Sequence, residues 1–426
     1  MNQFPIYFLI FLWLITIYVY QKKKRIIDSG TFLLSLNLIC TLASLFLINN
    51  NAFSFKELKI FPFVFLYVMI LIVSFPVLKY DTRKFKFISI PSRLLMNTIS
   101  LIFILPTFIM LPEIITEFSA DISKLFVDSL AGQQLYDDAW QEKYLGLKKQ
   151  SKNIPAILSG AMSGIGILLA FYNLTLKSPN RFITVGLFVS IFILILPSIS
   201  KGQRNGLTET LLVLIPTYLI LQKRISSKLN NLIKITGIII IILLSVPFVL
   251  LTNSRFDNNK INVGESIFYY AGQQNLFFNN FGLDNNGLRY GDRTFPFFKT
   301  ILGFDNVPQN FWERRDKYPN LTINDEVFIT FVGDFTLDFG PIVTLLFFLI
   351  ISIIIYRIAC LRNSVLYFHH LILIHLLIYV CSIGSLKLFP FSDISGNLKL
   401  SVYVITYFIF KYNKVHQHSN RVINEY

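Results

Sequence analysis

The sequence predicts an all-α polytopic membrane protein, and three observations carry that prediction. Of 426 residues, 54% are hydrophobic and only 15% charged, against about 25% charged in soluble chains. Apolar runs of membrane-crossing length recur from one end of the chain to the other, and lysines and arginines collect in alternate connections between them. The composition excludes a water-soluble globule, and 43 Phe and 20 Tyr suit spans and the aromatic belts at a membrane surface. Cys40, Cys360 and Cys381 show no ligand spacing, which excludes a disulfide scaffold and a structural zinc site.

A helix crosses a hydrocarbon core with about 20 apolar residues. Eleven segments meet that measure in order: 4–20, 31–48, 61–78, 94–111, 154–176, 182–199, 207–221, 235–251, 339–356, 365–383 and 400–412. The seventh and eleventh are short. Glu209 lies inside the seventh and Lys399 opens the eleventh, so tilted or re-entrant geometry is expected there. Alternating the connections with the amino terminus outside leaves Lys and Arg in large excess on the inner side over three acids, Asp28, Asp81 and Glu425. Short cytoplasmic loops carry this excess in membrane proteins. The net charge of +15 is therefore topology and not a nucleic-acid footprint. The first span is followed by KKKR at 22–25 and preceded by no charge, the reverse of a cleaved signal peptide, so it is expected to stay as an anchor.

The chain reads as a single integral membrane domain, 1–426, with two long outer segments, 112–153 and 252–332. Eighty residues without a span exceed a connector and predict a binding or catalytic loop. Within it, 264–281 has near-helical apolar spacing and predicts an amphipathic helix lying on the membrane. Thr322 and Asp325 have capping-box spacing, which predicts a helix from Ile323 into the next span. Thr330, Asp334 and Asp338 would share one face of it, and Pro341 predicts a kink at Gly340.

Six arginines fall outside: Arg204, Arg255, Arg289, Arg293, Arg314 and Arg315. Guanidinium is a planar bidentate partner for phosphate, so a cluster on this cation-poor side suits a lipid-linked diphosphate. Loop salt bridges are the alternative, favoured for Arg314 and Arg315 beside acids in ERRDK. Arg204 sits in SKGQRNG between two spans with Lys201 three residues away, and Arg255 directly follows a span. Glu209 suits pairing with Arg204. Asp137 and Asp138 could hold a divalent ion or form a solvated turn, and none of the five histidines lies outside. Tyr269, Tyr270, Tyr290 and Trp312 could stack on sugars or anchor at the interface.

GQRNG at 202–206, the long outer loop and NDEVFITFVGDFTLDFG at 324–340 together resemble the O-antigen and capsular polysaccharide repeat-unit polymerases, the Wzy-type family. That resemblance implies a GT-C-like membrane glycosyltransferase of the bacterial inner membrane. Such an enzyme moves a growing glycan from one undecaprenyl diphosphate onto a lipid-linked repeat unit, with no cofactor, metal or nucleotide sugar. Membrane lipid, a chain-length regulator and a flippase are its expected companions, and nucleic acid is not. The family's spacing of Arg, ten residues and Gly is absent after Arg204, Arg255, Arg289 and Arg293. O-antigen ligases are similar in outline but use a loop histidine that this loop lacks. The chemistry assigns Arg204 and Arg255 to the leaving diphosphate, with Glu326, Asp334 or Asp338 as the base. Lys201, Arg289, Arg293, Tyr270, Tyr290 and Trp312 are expected to bind substrate. A flippase or other transporter of the same lipid-linked glycan, or a ligase, is the competing class.

Overall fold

The computed structural model describes residues 2–50, 55–127, 131–145, 153–256, 263–323, 327–361, 365–413 and 417–419. In chain order the elements are α1 (Phe4–Lys24), α2 (Ser29–Asn49), α3 (Ile60–Lys79), β1 (Phe87–Ile90), α4 (Arg93–Val127), α5 (Ala131–Leu145), α6 (Ile154–Asn173), α7 (Arg181–Ile193), α8 (Leu196–Ser200), α9 (Asn205–Leu221), α10 (Ser227–Phe256), α11 (Val263–Phe281), α12 (Pro296–Ile301), α13 (Phe311–Lys317), α14 (Thr330–Ala359), β2 (Val365–Tyr367), α15 (Phe368–Gly384), α16 (Asp393–Tyr412) and β3 (Gln417–Ser419).

The protein is a helical, multi-pass membrane protein. Among the described residues seven helices are long and apolar enough to cross a membrane: α1 to α4, α6, the α7–α8 stretch and α14. The other four apolar segments also fold as helices, α9, α10, α15 and α16. α9 and α15 have only 17 residues each, and α16 carries Asp393, Lys399 and Lys411.

The chain divides into two compact units, Met1–Pro91 with Phe268–Tyr426, and Ser92–Ile267. In the first, α14 and α15 pack on α3, and α1 pairs with α2. Asp28 closes a capping box with Thr31 at the start of α2 and accepts a bond from Tyr20 (2.8 Å). A Cβ at Gly30 would sit 2.3 Å from the Tyr20 hydroxyl, so only glycine permits this approach of α1 and α2. Among the described residues three short strands, ordered β2-β1-β3, depart from an all-helical fold. β1 runs parallel to β2 and antiparallel to β3.

In the second unit α4 packs against α6, α7 and α8. α4 and α6 approach closely at Gly166, since a Cβ there would fall 2.5 Å from the Phe103 ring. Two expectations change. The segment 112–153 is not an open loop: α4 runs through Pro112 to Val127 and α5 follows. Proline deletes one intrahelical bond there without ending the helix. The span expected at 182–199 is split into α7 and α8, with Pro197 in the first turn of α8.

Candidate functional site

The large loop is organised around a break in α14. Gly340 adopts φ 78° and ψ 163°, a region open essentially to glycine alone, and Pro341 bars the helical alternative. The expected kink is therefore present. The helix begins at Thr330, however, and not at Ile323. The Thr322 hydroxyl and the Ile323 amide donate instead to the Asn285 side-chain oxygen Oδ1, at 2.6 and 3.0 Å. The Thr330 amide donates to the Lys387 carbonyl (2.8 Å).

The break leaves the carbonyls of the first half-helix without intrahelical donors. A turn built on Tyr290 (φ 53°) and Gly291 (φ 81°) meets them. The Arg289 amide donates to Leu337 (3.0 Å) and the Tyr290 amide to Asp338 (2.9 Å). The Arg289 guanidinium donates to the Asp334 carbonyl (3.0 Å), which places a cation at the negative end of the half-helix.

Asp334 and Asp338, four residues apart, face this turn as their spacing predicted. Arg289 Nε lies 2.6 Å from Asp338 Oδ1, and Arg293 Nε 3.1 Å from Asp334 Oδ1. The second oxygens are held too: Phe389 N donates to Asp334 Oδ2 (2.7 Å), and the Thr294 amide and hydroxyl donate to Asp338 Oδ2 (2.8 and 2.7 Å). Arg289 is 1% exposed, Arg293 5%, and both aspartates 0%. Two guanidinium groups thus neutralise two carboxylates out of water. Phe295, Phe335 and Phe389 wall one side, with Phe335 and Phe389 4.9 Å apart.

A second hub forms at Asp292, which receives Lys299, Lys317 (2.7 Å) and the Tyr318 hydroxyl (2.7 Å). Burial alone would raise the Asp292 carboxyl, but these three donors together hold it below the ordinary carboxylate range. Burial, and then the bond to Asp292, push the Tyr318 phenol up. From α13, Arg314 reaches Asp393 on α16 (2.9 Å). Asn397 binds the carbonyls of Thr294 and Phe391 and accepts from Phe297 N (3.1 Å).

α11 confirms the helix expected at 264–281, but its polar face is buried. Ser44 on α2 donates to the Gly272 carbonyl (2.7 Å), and Asn275 donates to Ser44 (3.1 Å). Asn279 both donates to and accepts from the Lys59 backbone at the start of α3.

The structure brings Arg289, Arg293, Asp334 and Asp338 together and leaves Tyr290 and Trp312 exposed on the same loop. Tyr270 is half-buried against Phe328 (6.2 Å). Arg204 belongs to the other unit, where it caps α9 as a buried residue while Lys201 is exposed. Gly202 there has φ 61°, and a Cβ on it would meet the Gly132 carbonyl at 2.5 Å. Arg255 ends α10, its side chain outside the described set, and Glu326 lies outside the described residues. Asp137 and Asp138 are exposed on α5, and among the described residues no three His, Cys, Asp or Glu side chains gather as metal ligands. Asp292, Asp393 and Asn397 were not among the sequence candidates. The four-residue spacing of Asp393 and Asn397 at the start of α16 was the only available signal.

No family model, no curated protein and no solved structure matches the chain.

Proposed function

We propose that this protein is a membrane glycosyltransferase that polymerises undecaprenyl-diphosphate-linked oligosaccharide repeat units on the outer face of a bacterial inner membrane. In this proposal the eleven apolar helices are GT-C-like spans, the amino terminus is outside, and the large loop faces outward with them. The observation that supports it best is the loop itself. A folded body cross-linked by buried Arg–Asp pairs and fixed to a broken helix provides a rigid platform where a lipid-borne glycan emerges. The acceptor hydroxyl attacks the anomeric carbon, the bond to the diphosphate oxygen breaks, and the hydroxyl proton passes to a base. Arg204 and Arg255 are assigned to the leaving diphosphate, and exposed Tyr290 and Trp312 to sugar rings. Because Asp334 and Asp338 are already bound on both oxygens, they and Arg289 and Arg293 take positioning roles, and Glu326 is the base.

The test is a ladder. Purified protein in detergent, given only lipid-linked repeat units, should extend them in steps of one repeat and release an equal amount of undecaprenyl diphosphate. Arg204→Lys should slow both together, since an ammonium cannot replace the bidentate fork. No ladder from active wild type with its own substrate would overturn the function.

A transporter of the same lipid-linked glycan is the second reading, favoured by two features. α14 is discontinuous, and ionisable pairs sit between helices, Lys399 with Tyr379 (2.9 Å) and His375 with Tyr403 (2.7 Å). A transporter would leave the substrate unchanged in detergent and move it between leaflets in vesicles.

A further inference from the structure

Between α12 and α13 the chain makes a short prong whose side chains face away from the protein. Ile301 is 65% exposed, Leu302 74% and Phe304 58%. Three large apolar groups at one tip mark a contact surface and not a stray exposed residue. The prong is also a built structure. Gly303 N donates to the Thr300 carbonyl (3.1 Å) and Phe304 N to the Lys299 carbonyl (3.1 Å), and Gly303 takes φ 80°. That is a Schellman turn, which fixes the three side chains relative to α12. Both limbs are clamped to one carboxylate. Lys299, before the tip, binds Asp292. Lys317, beyond it, binds Asp292 and the Asn306 carbonyl, each at 2.7 Å.

Two markers give its level. Gly291, in the turn before α12, lies against the Phe339 ring of α14 and the Lys299 stem, at 3.1 and 3.9 Å from where its Cβ would be. The base of the prong is therefore level with the break at Gly340. Ile342, two residues further on in this membrane-crossing helix, is 74% exposed and begins its lipid-facing stripe. On α16, α12 is tied through Phe297 N to Asn397 (3.1 Å), about 6 Å along the helix axis from Asp393 at 1.5 Å per residue. The prong is thus rooted at the level where the exposed apolar surface of α14 begins.

We propose that Ile301, Leu302 and Phe304 seat in the headgroup–acyl boundary of the membrane that the chain itself crosses, so that a lipid surface is the partner of this loop. The contact is independent of any glycosyl transfer.

The experiment places an environment-sensitive fluorophore at Leu302→Cys, in a Cys360→Ser background whose remaining thiols, Cys40 and Cys381, are buried. Single copies are held in lipid nanodiscs, with Arg315→Cys on α13, also exposed, as the aqueous reference. Spin-labelled lipid with the label at a shallow acyl position should quench the Leu302 probe about twofold more than a deep label, while iodide quenches it less than the Arg315 probe. Equal iodide quenching at both sites without lipid quenching would overturn the proposal. So would a shielded Leu302 probe that no spin-labelled lipid reaches, since that would mean a protein partner.

Discussion

Removing one carboxylate from the buried lattice should release the loop from the membrane helix. Asp338→Ala removes the carboxylate 2.6 Å from Arg289 Nε, leaving one cation in excess among the four charges, and deprives the Thr294 amide and hydroxyl of their acceptor. Breaking a buried ion pair by deleting one partner costs about 3–5 kcal/mol. At about 1.4 kcal/mol per factor of ten, protection from amide exchange should fall by roughly two to three and a half orders of magnitude. The amides to follow are Arg289 and Tyr290, which report directly because they cap Leu337 and Asp338 across the break. Arg289→Met in the same chain should restore part of the loss, because no charge is then left stranded, although Asp334 keeps only Arg293 as its cation. Unchanged exchange in Asp338→Ala, or a double variant as poor as the two losses added, would refute the claim that charge pairing holds this loop.

Gly340→Ala should destabilise the protein by about 1–3 kcal/mol, read as a lower unfolding temperature, because φ 78° with ψ 163° is closed to a side chain. Pro341→Ala alone should change it far less. The lowered Asp292 carboxyl means its stabilisation is complete above about pH 4 and is lost as pH falls through its lowered folded value. Thermal unfolding followed at Trp312, with the other two tryptophans replaced, should therefore hold steady from about pH 7 to 5 and drop only in stronger acid, and Asp292→Asn should flatten that step. Reporter fusions after Lys24, Tyr80, Arg224 and Arg362 should read cytoplasm, and those near Lys149 and Asn286 the opposite side. An outside signal at Arg224 would remove the proposed orientation.

The parts of this fold that were legible in the sequence are those set by local chemistry. Apolar runs marked the helices, Pro341 after Gly340 marked the break, and a four-residue spacing put Asp334 and Asp338 on one face. What was not legible depended on distant partners. Thr322 and Asp325 had the spacing of a helix start, yet Asn285, 37 residues earlier, takes Thr322 and the helix opens at Thr330. Arg314 finds a carboxylate partner in Asp393, 79 residues away. α11 was visible as a helix, but its burial was not, because Asn275 and Asn279 bond Ser44 on α2 and Lys59 at the α3 entry, more than 200 residues earlier. For the candidate site, Arg289 and Arg293 read as phosphate ligands because their carboxylate partners lie more than 40 residues along the chain.

The charge balance of the lattice bears on how the protein lives in an energised cell. A single charge displaced through the full thickness of a membrane carrying 100 mV changes energy by about 2.3 kcal/mol. Arg289, Arg293, Asp334 and Asp338 sit within bonding distance of one another and sum to zero, so the opposing forces on them cancel. The joint between loop and helix is consequently blind to voltage, and it should hold with the same strength in a respiring cell, a depolarised one and a detergent micelle.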